Sequence, residues 1–444
     1  MNVKLDIKSG LKNILPILIS LAGSGILAFL TQVLLGHSLT VEDYGIVSTA
    51  VSIIVIITAV IGFGIPSVWL LIFGQEGWQA FRWVRQSLKF MLLWGPFVLA
   101  ISWAGFMWLI DDARLLTTIW WMQAMVVMQV MVELLTAKLQ LEGRYKALSL
   151  WQVLPHLGRL SVATAVYFSA TSSVDFVAKG FSVISLVLIA ASGFGLSSMS
   201  SSKMRLAGHQ QTSSTARETP LKIPSYKGVL CLAWPYAGTA ALVMLYGRIE
   251  IVLLGNITSQ TAAGTFTVAV SFLLVAFLVP HAIYQIYLLP KIHRWFHSEW
   301  QKFLSVYRFG CAAMALMGIA GIIGTYFLGE LLVVSFFGDK YRESGQILSM
   351  LSVCILFRFV STSIGSSLVS GNYMKYKVYC QSLTTLISVP CAFVLITLYG
   401  IEGAIINKIL TEFMLLISYM YASARYVLGS ETWSGWSLKV SHNA

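Results

Sequence analysis

The amino-acid sequence predicts an all-α integral membrane protein of about twelve transmembrane helices in two parallel six-helix repeats. Three observations predict this fold class: the composition, the number of long apolar stretches, and an internal repeat. Apolar residues make up 57% of the 444 residues, charged residues only 11%, and the mean hydropathy is +0.77. A soluble domain carries roughly 25% charged residues. The chain therefore has too few charges to cover a surface that faces water on all sides.

Twelve stretches are long and apolar enough to cross a bilayer, which takes about 20 mostly apolar residues. They are residues 13–36, 46–70, 88–110, 115–137, 148–169, 174–196, 228–254, 263–289, 303–328, 345–370, 377–398 and 402–424. The connections between them are short and polar, except residues 197–227, which are rich in Ser and Thr, basic and without helical periodicity. This stretch predicts a linker between an N-terminal six-helix lobe, residues 1–196, and a C-terminal six-helix lobe with a short tail, residues 228–444.

The charges of the connecting loops predict the orientation of the chain. Alternate loops are basic, and the loops between them are acidic or neutral. The basic residues are Arg82 and Arg85; Lys138, Arg144 and Lys146; Lys203, Arg205, Arg217, Lys222 and Lys227; Lys291, Arg294 and Lys302; and Lys375 and Lys377. By the positive-inside rule, both termini and the linker are cytoplasmic. The net charge of +12 is then explained by loops that face anionic lipid, and no nucleic-acid partner is expected.

An internal repeat relates residues 33–52 to residues 252–271. A gapless alignment gives the identical pairs Val33/Val252, Leu34/Leu253, Leu35/Leu254, Gly36/Gly255, Gly45/Gly264, Ala50/Ala269, Val51/Val270 and Ser52/Ser271. Chance similarity between apolar helices does not explain why the loop glycines fall in register. Because six spans per half is an even number, the two halves share one orientation and form parallel repeats.

Four short stretches carry a resemblance to a known family. They are Leu39–Gly45 after the first span, Arg248–Gly255 in the seventh, Gly338–Tyr341 with Ser344 and Leu348 before the tenth, and Leu398–Ala404 before the twelfth. In this order on a twelve-span frame, they resemble the polysaccharide repeat-unit (Wzx-type) flippases of the multidrug/oligosaccharidyl-lipid/polysaccharide (MOP) exporter superfamily. The likeness extends over residues 13–424. Glu250 departs from the family pattern, which often has Asp there.

The resemblance implies two lobes around a central cavity that opens alternately to the two sides of the membrane. It implies transport of undecaprenyl-pyrophosphate-linked oligosaccharide from the cytoplasmic to the periplasmic leaflet of the bacterial inner membrane. The transported unit would serve the assembly of O-antigen of lipopolysaccharide or a related surface polysaccharide. The implied partners are the lipid-linked oligosaccharide, membrane lipids and other proteins of surface-polysaccharide assembly.

Placing an ionisable side chain inside a membrane span costs free energy, so each such residue is a candidate for a functional role. Nine lie away from the loops: Glu133, Arg159, Lys179, Arg248, Glu250, Arg308, Arg358, Lys408 and Glu412. Six are cationic, which suits a diphosphate because Arg offers paired donors to phosphate oxygens. Arg159 and Arg358, each near the middle of a span, and Arg248 are therefore the predicted substrate-binding residues. The alternative for each is a structural contact with an acid or a backbone carbonyl.

The acidic residues predict ion pairs that serve coupling or structure. Glu250 lies two residues after Arg248, so the two side chains do not face each other and should have different partners. Lys408 and Glu412 are four residues apart on one face of the twelfth span. The simplest interpretation is that Lys408 and Glu412 neutralise each other.

No motif for chemistry in water is present. The sequence has no Walker A loop, no Gly-x-Ser-x-Gly, no His-Glu-x-x-His and no metal-ligand spacing, and its five cysteines stand singly. We therefore expect no enzymatic activity, no cofactor and no bound metal, with transport driven by an ion gradient or by consumption of the product. Two other functions stay open. A drug or cation exporter of the same superfamily would favour acidic side chains in its cavity. A membrane polysaccharide polymerase or ligase would need a larger outer loop than residues 329–344.

Overall fold

A computed structural model describes residues 7–169, 173–200, 206, 223–369 and 373–432, and in this part of the chain all regular secondary structure is helical. The α-helices are α1 (Ile7–Ser38), α2 (Val41–Gly62), α3 (Ile65–Glu76), α4 (Phe81–Leu109), α5 (Ala113–Met122), α6 (Ala124–Leu141), α7 (Tyr145–Phe168), α8 (Val174–Ser200), α9 (Tyr226–Leu253), α10 (Gln260–His281), α11 (Leu289–Ser298), α12 (Trp300–Phe337), α13 (Arg342–Leu351), α14 (Val353–Ser367) and α15 (Met374–Ala422). Short π-helical segments follow α9, α10 and α15.

Each of the twelve predicted spans coincides with one or two of these helices. By length and composition, eight helical segments of the described chain can cross a membrane, and the bent pair α13–α14 brings the number to nine. Two of the eight segments, Val41–Leu109 and Met374–Leu428, each contain two predicted spans. The remaining predicted span, residues 148–169, is α7, which carries the polar residues Gln152, His156 and Arg159. The chain is a multi-pass helical membrane protein.

Backbone breaks at glycines divide the longest helical segments. Gly400 has φ 57° and ψ −127° inside α15, at the boundary predicted between the spans 377–398 and 402–424. Gly64, with φ 65°, separates α2 from α3. A Cβ atom on Gly64 would collide with Tyr236. Glycine tolerates this left-handed conformation without a steric cost, so both breaks can be traced to the sequence.

The chain divides into two compact units that differ from the two predicted lobes. Unit 1 contains the residues up to Leu39 together with Thr49–Met244, and unit 2 contains Thr40–Ser48 together with the residues from Leu245 onward. Most of the predicted linker, residues 201–205 and 207–222, lies outside the described residues. The division into lobes 1–196 and 228–444 therefore stays a prediction.

Hydrogen bonds between side chains join the helices of unit 1. The Ser20 hydroxyl on α1 donates to the Gln152 side chain on α7, with 3.0 Å between the oxygens. The buried Trp69 indole donates to the Ser87 hydroxyl at 2.8 Å. Such bonds are a usual means of helix association in membranes, where lipid removes the hydrophobic drive between helices.

Unit 2 contains a close crossing of α2 and α10 at the two glycines that the internal alignment pairs. A Cβ atom on Gly45 would collide with the backbone carbonyl of Gln260, and one on Gly264 would lie 2.5 Å from the carbonyl oxygen of Val41. Next to this crossing, the fully buried Tyr44 packs edge-to-face against Phe337 and Tyr341. Glycine at both positions is therefore required by the backbone contact between the two repeat copies.

Candidate functional site

A buried triad in unit 2 joins Arg358 of α14, Glu412 of α15 and Tyr246 of α9. Arg358 Nη2 lies 2.8 Å from Glu412 Oε1 and donates to the Tyr246 hydroxyl at 2.7 Å. That hydroxyl in turn donates to Glu412 Oε1 at 2.6 Å. The Arg358 side chain is 24% exposed, whereas that of Glu412 is 0% exposed. Arg358 is therefore the more exposed member of the ion pair.

A second buried pair lies beside this triad. Lys408 Nζ is 3.9 Å from Glu250 Oε1, and the Asn407 side-chain amide donates to the same oxygen at 3.2 Å. Lys408 Nζ also lies 3.5 Å from the backbone carbonyl oxygen of Tyr246. The two pairs bring together two cations and two carboxylates, so the cluster is formally neutral. Pairing of this kind is needed because an isolated charge inside a membrane is costly.

Helical spacing explains why these side chains meet. Tyr246 and Glu250 are four residues apart and therefore lie on one face of α9. In the same way, Lys408 and Glu412 lie on one face of α15. Aromatic rings complete the surroundings of the cations. The Arg358 guanidinium lies 5.2 Å from the Tyr246 ring centroid and 4.9 Å from that of Phe277, within the range of cation–π attraction.

The predicted mutual neutralisation of Lys408 and Glu412 is not what the structure shows. Glu412 pairs with Arg358, and Lys408 pairs with Glu250. Within a helix, a pair with Lys preceding the acid by four residues is the less favourable orientation. Both side chains instead reach partners on neighbouring helices. As expected from their spacing, Glu250 and Arg248 do not pair with each other.

The other two predicted substrate residues lie apart from the triad. Arg248, half-buried on α9 of unit 2, is within electrostatic range of Tyr44. Arg159, half-buried on α7 of unit 1, donates from Nε to the Pro155 carbonyl at 3.3 Å. The roles of Arg159, Arg248 and Arg358 toward a substrate stay predictions.

Sequence reasoning missed two members of the cluster, Tyr246 and Asn407. Both are uncharged near neutral pH, so a search for charged side chains inside spans passes over them. The available signal was their position, since Tyr246 precedes Glu250 by one helical turn and Asn407 is next to Lys408. Within the described residues, no group of three or more His, Cys, Asp or Glu side chains is placed to hold a metal ion.

No family model matches the chain, and the sequence relatives, two of which follow, each match less than half of it. The chain is 30% identical over 203 residues to a capsular polysaccharide biosynthesis protein, CapF, of Staphylococcus aureus, covering 45% of this chain and 50% of that protein. It is 23% identical over 195 residues to a putative O-antigen transporter of Shigella dysenteriae, covering 43% and 47%. The chain thus matches about half the length of these relatives.

Solved structures match almost the whole chain. The lipid II flippase MurJ, in an inward closed conformation, matches with a TM-score of 0.70 and 12% identity over 91% of this chain and 86% of MurJ. An inward-facing multidrug resistance MATE family transporter of the MOP superfamily matches with a TM-score of 0.67 and 14% identity over 90% and 94%. The chain has the fold of the MOP transporters. This fold confirms the predicted class, an all-α integral membrane protein. Together with the two relatives it confirms the predicted resemblance.

Proposed function

We propose that the chain is a secondary-transport flippase for undecaprenyl-pyrophosphate-linked oligosaccharide repeat units. It moves them from the cytoplasmic to the periplasmic leaflet of the bacterial inner membrane, for the assembly of O-antigen or a related surface polysaccharide. The observation that carries the proposal is a partly exposed arginine side chain, that of Arg358, held within a span by a buried carboxylate and a buried phenol. In this proposal, both termini and residues 197–227 are cytoplasmic, as the loop charges predict.

Arg358 has the chemistry to receive a diphosphate. Both of its side-chain hydrogen bonds in the described part of the chain use Nη2. Arginine carries five N–H donors in a planar fork, so Nη1 remains for an oxygen of an incoming anion. A charge at the bilayer centre costs about 2.5–3.5 kcal/mol on the insertion scale. Binding the charged head of a lipid-linked substrate is a function that would justify this cost.

The cluster also bears on the two other functions. A drug or cation exporter is compatible with the fold, since a MATE transporter is among the matching structures. In unit 2, however, Glu250 and Glu412 are already paired with cations, and a cationic substrate would first meet Arg358. None of the relatives and solved structures described above is named as a polymerase or ligase. We therefore favour an anionic, lipid-linked substrate and a non-enzymatic function.

Complementation tests this proposal. The chain is expressed in a bacterium that has lost its own repeat-unit flippase, together with the glycosyltransferases that make the matching repeat unit. We expect surface polymer to return, because the lipid-linked unit again reaches the periplasmic leaflet. The measurement is polymer display per molecule of membrane-inserted protein. Normal membrane levels with no surface polymer, for every repeat unit made by the glycosyltransferases encoded beside this chain's gene, would contradict the proposal.

A further inference from the structure

We infer that Glu412 is an internal substitute for the substrate anion: a diphosphate that binds Arg358 displaces the Glu412 carboxylate, which then takes up one proton. The inference rests on the proposed function and concerns the same site. It gives Glu412 a positioning role, because this residue holds the guanidinium of the empty transporter in place without contacting the substrate itself.

The unequal exposure of the two partners sets the order of contacts. The Glu412 side chain is fully buried, whereas that of Arg358 is 24% exposed, so an anion that enters the site reaches Arg358 before it could reach the carboxylate. Arg358 Nε and Glu412 Oε2 are buried without a hydrogen-bond partner among the described residues. The ion pair therefore uses only part of the capacity of each group. A guanidinium with donors to spare can reorient toward a doubly charged anion that offers more acceptors.

Loss of Arg358 would leave the Glu412 carboxylate with a single neutral donor, the Tyr246 hydroxyl. A buried carboxylate without a cation is strongly unfavourable, and protonation is the usual escape. In this step an O–H bond of a hydronium ion, or the acidic bond of a buffer molecule, breaks and an O–H bond forms on Glu412. The diphosphate replaces Glu412 as the anion that neutralises Arg358. The protonated carboxyl group can then donate to the Tyr246 hydroxyl oxygen, which the departure of Arg358 has freed. No other bond is made or broken.

The neighbouring charges do not replace Arg358. In the described part of the chain, Glu412 interacts with four titratable side chains: Tyr246 on α9, Cys354 and Arg358 on α14, and Tyr419 on α15. Lys408 lies one helical turn before it on α15, paired with Glu250 of α9. This second cation is also engaged with the Tyr246 carbonyl. When substrate leaves, Glu412 loses its proton and recaptures Arg358. The empty transporter then returns across its cycle without an unpaired charge in the membrane.

Calorimetry on the purified full-length protein in phosphatidylcholine nanodiscs tests the exchange, with inorganic pyrophosphate as the probe. Titrations at one pH in two buffers of different ionisation enthalpy give the number of protons taken up per bound pyrophosphate. We expect the wild type to take up about one proton more than Glu412→Gln, whose amide cannot ionise. Glu412→Gln should also bind pyrophosphate more tightly, because the competing carboxylate is gone. The exposed Glu330, paired with Arg342, provides a matched control, and Glu330→Gln should keep the wild-type proton count.

An infrared difference spectrum of the wild type needs no variant. Pyrophosphate should produce a band of a protonated carboxyl group. Equal proton counts in wild type and Glu412→Gln, or a missing carboxyl band, would overturn the exchange while pyrophosphate binding and the proposed function stand. Pyrophosphate binding that is absent, or unchanged in Arg358→Ala, would overturn the anion site itself and with it the observation that carries the proposed function.

Discussion

Replacing Arg358 by Ala is expected to abolish polymer export and also to lower the amount of protein in the membrane. The guanidinium is the proposed ligand of the substrate diphosphate, and it is the cation that neutralises the fully buried Glu412. Truncating one member of a buried, hydrogen-bonded charge pair costs about 2–5 kcal/mol. If the contact between Arg358 and the diphosphate is lost at this cost, export per molecule should fall by roughly 30-fold or more. The measurement is surface polymer normalised to membrane-inserted protein.

A double variant separates the two effects. Arg358→Ala combined with Glu412→Gln removes both charges, so no buried carboxylate is left alone, and membrane levels should return close to those of the wild type. Export should stay absent, because the ligand for the diphosphate is still missing. Arg358→Lys should restore export only in part, since an ammonium keeps the charge but loses the planar fork. Full export per molecule in the double variant would remove Arg358 from the site.

Replacing Gly45 by Ala is expected to lower the amount of folded protein. The loss should be larger than for a helical glycine that has free space around its Cα atom. The added Cβ atom would collide with the backbone carbonyl of Gln260, at the point where the backbones of α2 and α10 are in contact. Overpacking against backbone costs typically about 1–3 kcal/mol or more, because no side chain can move aside. Gly264→Ala, on the other side of the crossing, should behave alike. The measurements are the thermal unfolding midpoint in detergent and the protein amount in the membrane.

A matched control for this prediction is Gly324→Ala in α12. Apart from the adjoining backbone of α12 itself, no atom of the described chain lies within 4 Å of a Cβ atom built on Gly324. In a helix, Ala is favoured over Gly by about 1 kcal/mol, so Gly324→Ala should leave stability unchanged or raise it. If Gly45→Ala and Gly324→Ala had the same unfolding midpoint, the close crossing of the two repeat copies would not exist as described.

The features predicted correctly from the sequence depend on local pattern. The lengths of the apolar stretches predicted where the spans lie. Gly400, where the backbone of α15 breaks, falls between two of these predicted spans. The gapless repeat brought Gly45 and Gly264 into register, and the structure places these glycines in contact. These features are set by bilayer thickness and by backbone sterics, both of which leave a mark on neighbouring residues.

Partner choice in the charged cluster could not be predicted in the same way. Spacing along one helix suggested that Lys408 and Glu412 would pair, but both find partners on other helices. The distances between α9, α14 and α15 decide these pairs, and they are tertiary properties without a signature at fixed spacing. The sequence also did not indicate that Thr40–Ser48 belongs to unit 2. The residues that this segment contacts are about 200 positions away along the chain.

Direct translocation in sealed liposomes is the measurement that tests the central claim. Purified protein is reconstituted with fluorescent undecaprenyl-pyrophosphate-linked oligosaccharide, and an impermeant quencher reports how much label crosses between leaflets. A cationic dye is tested in parallel in the same liposomes. We predict that the wild type moves the lipid-linked oligosaccharide, that the Arg358→Ala/Glu412→Gln variant does not, and that neither transports the dye. Transport of the dye without movement of the lipid-linked oligosaccharide would contradict the account.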